Sequence, residues 1–277
     1  SNELIMQNDL FSIKGETIVL TGGLGQIGSS YCQALGEYGA NIVILDSSEY
    51  NLGSSHNTTK LIDTGQAIYI KTDVTDKNSL SKALKTIESK FGTPYGLINN
   101  AGLDSPPNSS SKSNGPFETY DENIWDTVID VNLKGVFLSC QILGSAMAQS
   151  GRGSIINIGS IYGILSPDQR LYEYRKNSGE VFFKPVAYSA SKSGIYGLSR
   201  YLATYWANNN VRVNTLTLGG VFNNQDQEFL DEYHKKVPLG RMAKSEEYGG
   251  AIIFLLSRAS SYMTGTNMIM DGGLSAW

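Results

Sequence analysis

The side chains of Tyr188 and Lys192 have the types and the spacing needed for proton transfer to or from an alcohol or a carbonyl. Residues four positions apart lie on one face of a helix. A free tyrosine phenol, with a pKa of about 10, is a poor base at neutral pH, but a nearby ammonium favours the phenolate and lowers that pKa. The same spacing occurs in ordinary surface pairs, so the surrounding sequence must distinguish a catalytic pair from a surface pair.

The composition indicates a globular α/β protein that acts on small molecules. The chain has 277 residues, of which 40% are hydrophobic and 30 are glycine, and its net charge is −4. The sequence has no basic stripe, so we do not expect a nucleic-acid partner. It has no apolar run long enough to span a bilayer and no signal peptide, so we do not expect a membrane partner. Cys32 and Cys140 fall in predicted helices and suggest neither a disulfide nor a metal site. We therefore expect a cytoplasmic protein without a metal ion.

A glycine-rich turn near the start of the chain predicts a dinucleotide site. Residues 17–20 form an apolar run, residues 21–28 the turn, and a helical pattern continues to Tyr38; a second apolar run at 41–45 ends at Asp46. In this context glycines allow unusual backbone angles and let N–H groups approach a pyrophosphate at a helix N-terminus. The turn residues assigned to the cofactor are Gly22, Gly25, Gln26, Ile27 and Gly28.

Asp46 predicts NAD(H) in preference to NADP(H). A carboxylate after the second strand accepts hydrogen bonds from both ribose hydroxyls and repels a 2′-phosphate. No Arg or Lys lies in the glycine turn or just after Asp46, where a phosphate would need one. The alternative for Asp46 is a helix-capping or turn residue.

The alternation of strands and helices continues to the end of the chain. Further strands are predicted at 67–70, 96–98, 154–158, 211–216 and 267–270. Helices are predicted at 50–64, 76–90, 122–149, 188–209, 226–236 and 245–257. The polar stretch 104–116 is expected to be a mobile surface loop. The pattern predicts a Rossmann fold, with one doubly wound, seven-stranded parallel sheet, helices on both faces, and a single domain over 1–277.

Over residues 14–275 the chain resembles a short-chain dehydrogenase/reductase of the compact, non-extended branch. The resemblance rests on Thr21 to Gly28, Asp73, Asn99 to Gly102, Asn132, Ser160, Tyr188 to Lys192, Val211 to Asn214 and Asp271-Gly272-Gly273. It implies an NAD(P)-dependent oxidoreductase that acts on CH–OH donors. It also implies a homotetramer or homodimer, with the helices at 122–149 and 188–209 and the C-terminal segment from Leu274 to Trp277 as candidate interfaces.

The resemblance further implies a role for each matching residue. Tyr188 would be the general acid/base, and Lys192 would lower its pKa and bind the nicotinamide ribose. Ser160 would orient the substrate oxygen, and Asn132 would support a proton relay. The remaining cofactor contacts would come from Asp73 and Val74 at the adenine, Asn100, Ala101 and Gly102 at the ribose, and Val221 at the carboxamide. Taken alone, Asn132 could equally be a helix-bending residue and Ser160 a cap.

Two departures from the family pattern bear on the substrate. The run from Leu218 to Asn223 has an extra glycine and lacks the usual proline. The connection from Ser160 to Tyr188 is unusually long, so we treat 161–187 as an insertion beside the substrate. Its tyrosines suit stacking on a sugar ring, and its cations suit a phosphate or a carboxylate. The predicted substrate contacts are Arg170, Tyr172 and Arg175, with Lys184 as a further candidate cation. The alternative is that the insertion serves only as an interface.

These features favour oxidation or reduction of a polar sugar, a sugar phosphate or a nucleotide sugar. The insertion and the run from Gly219 to Gln225 resemble oxidoreductases of bacterial flagellin glycosylation and surface-sugar biosynthesis, which implies carbohydrate biosynthesis. The alternatives are a reductase of another polar carbonyl, such as a 3-oxoacyl thioester, and a non-catalytic NAD-binding sensor.

Overall fold

Seven parallel strands form the sheet that organises the protein. The computed structural model describes residues 10–51, 55–104 and 114–277. The strands are β1 Thr17–Thr21, β2 Asn41–Asp46, β3 Ala67–Lys71, β4 Gly96–Asn99, β5 Gly153–Ser160, β6 Val211–Leu218 and β7 Asn267–Met270. Their order across the sheet is β3-β2-β1-β4-β5-β6-β7. This order confirms the predicted doubly wound Rossmann fold.

The helices lie in two layers, one on each face of the sheet. They are α1 Gln26–Glu37, α2 His56–Asp63, α3 Lys77–Phe91, α4 Glu122–Ser150, α5 Glu173–Asn177, α6 Val186–Tyr205, α7 Gln227–Lys236 and α8 Gly249–Leu256. Apolar side chains of α1, α2 and α8 pack on one face, and those of α3, α4 and α6 pack on the other. In α3 the buried residues Leu80, Ala83 and Ile87 follow the helical period, which gives the helix one apolar stripe.

Three predicted helices differ from those observed. The helix predicted at 50–64 begins at His56, and residues 52–54 lie outside the described ranges. The helix predicted at 188–209 ends at Tyr205; a 3₁₀ turn follows, and Asn210 takes a φ of +54°, which a right-handed helix cannot continue through. The helix predicted at 245–257 is a 3₁₀ turn followed by α8. The predicted loop at 104–116 falls mostly on residues 105–113, which are not among those described.

Helix α4 combines α-helical and π-helical segments. The π-helical segments are Asp130–Lys134 and Cys140–Gly144. By length and composition alone α4 could cross a membrane, contrary to the expectation that no segment would be long and apolar enough. Of its most apolar 18-residue window 56% is buried within the fold, which is the pattern of a core helix.

The insertion forms a small apolar cluster of its own with α7. Leu171 and Tyr172 of the insertion are buried beside Phe229 and Tyr233 of α7. The rings of Tyr172 and Phe229 stack with centroids 5.5 Å apart. Burial of aromatic surface fixes the insertion against α7, over the carboxyl end of the sheet.

Candidate active site

The glycine turn forms a tight cradle between β1 and α1. Gly22 has a φ of +66°, and a Cβ on it would lie 2.8 Å from the Cα of Ala101. A Cβ on Gly28 would lie 2.3 Å from the carbonyl oxygen of Gly22. Only glycine fits both positions. The turn therefore brings backbone N–H groups and the N-terminus of α1 to the point where β1 separates β2 from β4, which is where dinucleotides bind in such sheets.

Asp46 lies at the end of β2 and faces this turn. Its carboxylate accepts hydrogen bonds from the backbone N–H of Leu24 (3.0 Å) and of Ser48 (2.9 Å). Asp46 is thus also a turn residue, as its alternative assignment supposed. These two bonds fix the carboxylate beside the glycine turn. The neighbouring cation, Lys71 on β3, forms an ion pair with Glu49.

The other predicted cofactor residues differ in their positions. Asn100 donates from its side chain to the Gly22 carbonyl (3.1 Å), and this bond ties the end of β4 to the glycine turn. Gly102 lies directly against Lys192, since a Cβ on it would be 3.5 Å from the lysine Nζ. The Asp73 carboxylate accepts from the backbone and hydroxyl of Thr75 and so stabilises the turn before α3.

Tyr188, Lys192 and Ser160 come together at the carboxyl end of β5. Both α6 residues point toward the strand, and Nζ of Lys192 lies 5.9 Å from the centre of the Tyr188 ring. The same ammonium donates to the Ile158 carbonyl (2.9 Å). The Ser160 side chain is buried, and its hydroxyl lowers the pKa of the neighbouring Tyr188 phenol. A phenol and a hydroxyl that lie next to each other can both reach a single substrate oxygen.

Asn132 occupies the first π-helical segment of α4. Its fully buried amide pairs with the backbone of Leu103 in both directions, at 2.7 Å each, and donates to the Ser191 hydroxyl (3.0 Å). The segment beyond β4 is thereby fixed to α6, one residue from Lys192. π-Helical turns are common at functional sites because they re-aim a side chain.

Burial controls the proton affinities of the two α6 side chains. It raises the pKa of the Tyr188 phenol to about 12; the Asp104 carboxylate raises it further, and the hydrogen bond from Ser160 lowers it. Burial lowers the pKa of Lys192 to about 8, and Asp104 opposes that shift. The causes of the shift at Tyr188 are burial, Asp104, Ser160 and Tyr196, so the expectation that Lys192 lowers the pKa of this phenol stays a prediction.

A cavity of about 660 Å³ lies over these residues. The predicted residues that line it are Gln26, Ile27, Asn100, Gly102, Ser160, Tyr172, Arg175, Lys184, Tyr188, Lys192 and Val221. The predicted residues that do not are Gly22, Gly25, Gly28, Asp46, Asp73, Val74, Ala101, Asn132 and Arg170. Most of the latter support the cofactor cradle or the helices behind it. Arg170 is different: its side chain is 76% exposed and pairs with Asp168 at 2.8 Å, so its assignment to the substrate is wrong.

Two residues of the site, Asp104 and Tyr196, were not predicted from the sequence. Asp104 lines the cavity and forms an ion pair with Lys184 at 2.6 Å. Tyr196 donates its hydroxyl to the Ser160 carbonyl (3.0 Å). A signal for Tyr196 existed, because it follows Lys192 by four residues and so shares the catalytic face of α6. No such signal marked Asp104, which meets Lys184 only through the fold.

Comparisons with known proteins find dehydrogenases and reductases that match almost the whole chain. A family model described as "Enoyl-(Acyl carrier protein) reductase" matches residues 23–275. The gluconate 5-dehydrogenase of Gluconobacter oxydans (strain 621H) is 29% identical over 96% of this chain and 97% of its own length. The galactitol 2-dehydrogenase of Rhizobium johnstonii is 31% identical, with 96% and 98% covered. A 3-oxoacyl-[acyl-carrier-protein] reductase of Thermotoga maritima is 30% identical, with 95% and 98% covered.

Solved structures share the whole fold. A gluconate 5-dehydrogenase from Burkholderia cenocepacia, in complex with NADP and tartrate, superposes with a TM-score of 0.83 at 28% identity and covers 97% of this chain and 98% of its own. A short-chain dehydrogenase from Leptospira borgpetersenii with bound NAD+ gives 0.83 at 30% identity, with 95% and 94% covered. The chain therefore belongs to the short-chain dehydrogenase/reductase family. It is an NAD(P)-dependent oxidoreductase that acts on the CH–OH group of secondary alcohols.

Proposed function

We propose that the enzyme oxidises a secondary alcohol of a polyol, a sugar acid or another polar sugar derivative, or reduces the corresponding ketone. The observation that carries this proposal is the wall of the catalytic cavity. Opposite Tyr188, the insertion and the loop before α7 supply aromatic rings together with amide and charged side chains, among them Tyr172, Asn224 and Gln225. Rings suit the faces of a sugar, and amides suit its hydroxyls. The polyol and sugar-acid dehydrogenases among the relatives support the same substrate class.

The proposed chemistry uses the residues that meet at the end of β5. When bound, NAD(P) supplies the hydride acceptor or donor. Tyr188 removes the proton from the substrate hydroxyl during oxidation and returns it during reduction. Ser160 donates a hydrogen bond to the same oxygen, and Lys192 holds the nicotinamide ribose. Asn132 maintains the position of Leu103 and of the α6 turn that bears Lys192. General acid/base help of this kind contributes about 10²–10⁴-fold in rate.

The cofactor cradle supports NAD(H) in preference to NADP(H). The backbone N–H groups of Leu24 and Ser48 hold the Asp46 carboxylate beside the glycine turn, where it would accept from the ribose hydroxyls of NAD(H) and repel a 2′-phosphate. Lys71, the cation beside it on β3, is engaged by Glu49. The relatives include structures with NADP and with NAD+, so the preference depends on these side chains rather than on the family.

The physiological setting is proposed on narrower grounds. The insertion and the run from Gly219 to Gln225 support a role in surface-sugar or flagellin-sugar biosynthesis in the cytoplasm. A homotetramer or homodimer is supported by large side chains exposed on α4 and α6, namely Phe137 (45%), Tyr201 (64%) and Tyr205 (64%). The mass of the protein in solution tests the oligomeric state.

Reduction of a 3-oxoacyl thioester is the second candidate. The description of the matching family model and the Thermotoga maritima relative both favour it. A carrier-protein substrate would be favoured by a basic rim, whereas Asp104 and Asp226 are among the residues that line this cavity.

The test is a substrate panel with NAD and NADP. It contains polyols, sugar acids, sugar phosphates, nucleotide sugars, simple apolar alcohols and a 3-oxoacyl thioester. We expect turnover of polar polyols or sugar derivatives, and we expect Tyr188→Phe to lose nearly all turnover while still binding NAD. Preference for apolar alcohols or for the thioester would overturn the proposed substrate class. Tight NAD binding with no turnover of any compound would instead indicate a non-catalytic sensor.

A further inference from the structure

We propose that Lys184 binds an anionic group of the substrate, a carboxylate or a phosphate, and that Asp104 is the internal counter-ion which this group displaces. The proposal rests on the proposed function and names the substrate charge that the same cavity selects.

Lys184 brings a cation directly to the reacting centre. It belongs to the insertion and lies just before α6, and it lines the catalytic cavity. Its Nζ is 5.0 Å from the centre of the Tyr188 ring and 5.6 Å from that of the Tyr162 ring. Its backbone N–H donates to the Gln169 side chain (2.9 Å), which holds the start of this segment in place. If the reacting hydroxyl of a sugar contacts Tyr188, an anionic group a few bonds away on the same sugar can therefore reach the Lys184 ammonium.

The Lys184 side chain is mostly buried, and its ammonium is sparsely bonded among the residues that the structure describes. The Lys184 side chain is 14% exposed, and its Nζ has one hydrogen-bond partner among the described residues, the Asp104 carboxylate at 2.6 Å. An ammonium carries three N–H donors, so donors remain for a ligand. A buried cation needs a compensating negative charge, which Asp104 provides while no substrate is bound.

Asp104 is suited to leave this pair. Its side chain is 51% exposed, whereas that of Lys184 is 14% exposed. When the pair separates, water can therefore solvate the Asp104 carboxylate at little cost. The Lys184 ammonium is too enclosed for water to replace its partner in the same way. An incoming substrate anion would restore the compensation that Lys184 loses when Asp104 departs.

The second cation of the insertion that lines the cavity, Arg175, is already occupied. Arg175 lies over the Phe182 ring at 4.2 Å and donates to the Tyr174 hydroxyl (3.2 Å) and to Glu180 (3.2 Å). Asp226 of the loop before α7 is 3.8 Å from the same guanidinium. These contacts fix the insertion against α7. Arg175 is thus a structural cation of the cavity wall, and Lys184 is the cation that can accept a ligand.

The test compares charged and neutral substrates of one size. KM and kcat are measured with gluconate, glucitol 6-phosphate and glucitol for the wild type, Lys184→Gln, Lys184→Arg and Asp104→Asn. Lys235→Gln is the matched control, because Lys235 forms an exposed ion pair with Glu232. Binding of tartrate and of inorganic phosphate to the NADH-loaded enzymes is measured by calorimetry, which does not depend on turnover.

For Lys184→Gln we expect KM for the anionic substrate and Kd for tartrate or phosphate to rise about 10- to 100-fold, and KM for glucitol to change much less. Lys184→Arg should retain most of the anion affinity, and Asp104→Asn should increase it. If Lys184→Gln weakens the binding of gluconate and tartrate only, the site binds a carboxylate. If it weakens the binding of glucitol 6-phosphate and inorganic phosphate only, the site binds a phosphate.

Equal effects of Lys184→Gln on charged and neutral substrates, or unchanged anion binding, would overturn the inference. Turnover of glucitol but not of either anion would also overturn it while leaving the proposed function intact. Anion binding that depends on Lys184 in an enzyme that turns over nothing would support the inference and refute the proposed function.

Discussion

Removal of the Tyr196 hydroxyl should impair catalysis through Ser160. Tyr196 lies two helical turns after Tyr188 on α6 and is 8% exposed. Its hydroxyl donates to the Ser160 carbonyl at 3.0 Å and shares a hydrogen bond with the Thr217 hydroxyl at 2.7 Å. The Thr217 hydroxyl in turn lies 2.5 Å from the Asn267 side chain on β7. Ser160 is thus anchored to both the helix and the far strands of the sheet.

The magnitude follows from the two contacts that Tyr196→Phe would remove. A buried hydrogen bond contributes about 0.5–1.5 kcal/mol, so the free energy of unfolding should fall by about 1–3 kcal/mol. No cavity forms, because the ring remains. The Ser160 backbone would lose one of its anchors, and a displacement well below 1 Å should reduce kcat by about tenfold. The cradle residues for the cofactor do not touch Tyr196, so Kd for NAD should stay the same.

The assay combines thermal unfolding, NAD titration and steady-state kinetics. Tyr31→Phe is the control, because Tyr31 is fully buried and its hydroxyl has no hydrogen-bond partner within the described ranges. That variant should keep wild-type kcat and unchanged or increased stability. The reasoning is refuted if Tyr196→Phe loses stability as expected but keeps wild-type kcat, since Tyr196 would then be structural only.

Three further perturbations test the cofactor cradle and the proton affinity of the base. Asp46→Ala should raise the ratio of kcat/KM with NADP to that with NAD about tenfold, because the charge that repels a 2′-phosphate is removed; an unchanged ratio would contradict this. Gly28→Ala should raise Kd for NAD at least about tenfold, since its Cβ would lie 2.3 Å from a turn carbonyl, whereas Gly250→Ala, with nothing within 4 Å, should not. Asp104→Asn should move the rising limb of the pH profile for alcohol oxidation to lower pH, because the Asp104 carboxylate raises the pKa of Tyr188 and its loss favours the phenolate. If the rising limb of the pH profile does not move in Asp104→Asn, the Asp104 carboxylate does not set the pKa of Tyr188.

The sequence predicted the sheet and the pairing of Tyr188 with Lys192 because each depends on a local pattern, whereas Ser160 was assigned from the family resemblance. Apolar runs bounded by glycines marked the strands, and the acid after β2 marked the cradle. Tyr188 and Lys192 share a helical face whatever the rest of the fold does. Helix ends were less predictable: α6 ends at Tyr205, and a 3₁₀ turn then leads to Asn210, whose left-handed conformation the neighbouring residues do not predict.

The chemistry of the insertion could not be predicted, because it depends on pairings made only in three dimensions. Arg170 and Arg175 are equivalent cations in the sequence, yet one pairs with Asp168 in solvent and the other lies over Phe182 in the cavity wall. Lys184 could not be distinguished from them without Asp104, which is distant along the chain. The raised pKa of Tyr188 could not be predicted for a similar reason: the sequence shows the nearby ammonium but not the degree of burial.

The ion pair between Lys184 and Asp104 connects substrate charge to base strength. Asp104 raises the pKa of both Tyr188 and Lys192, so its carboxylate influences the proton affinity of the catalytic pair. If an anionic substrate displaces Asp104 from Lys184, the substrate brings an equivalent negative charge to the same place, and the phenol stays hard to ionise. A neutral polyol leaves Asp104 on Lys184 and brings no charge. The Asp104→Asn variant should therefore shift the pH profile less with an anionic substrate than with a neutral one, and this difference separates a charge that is exchanged from one that is fixed.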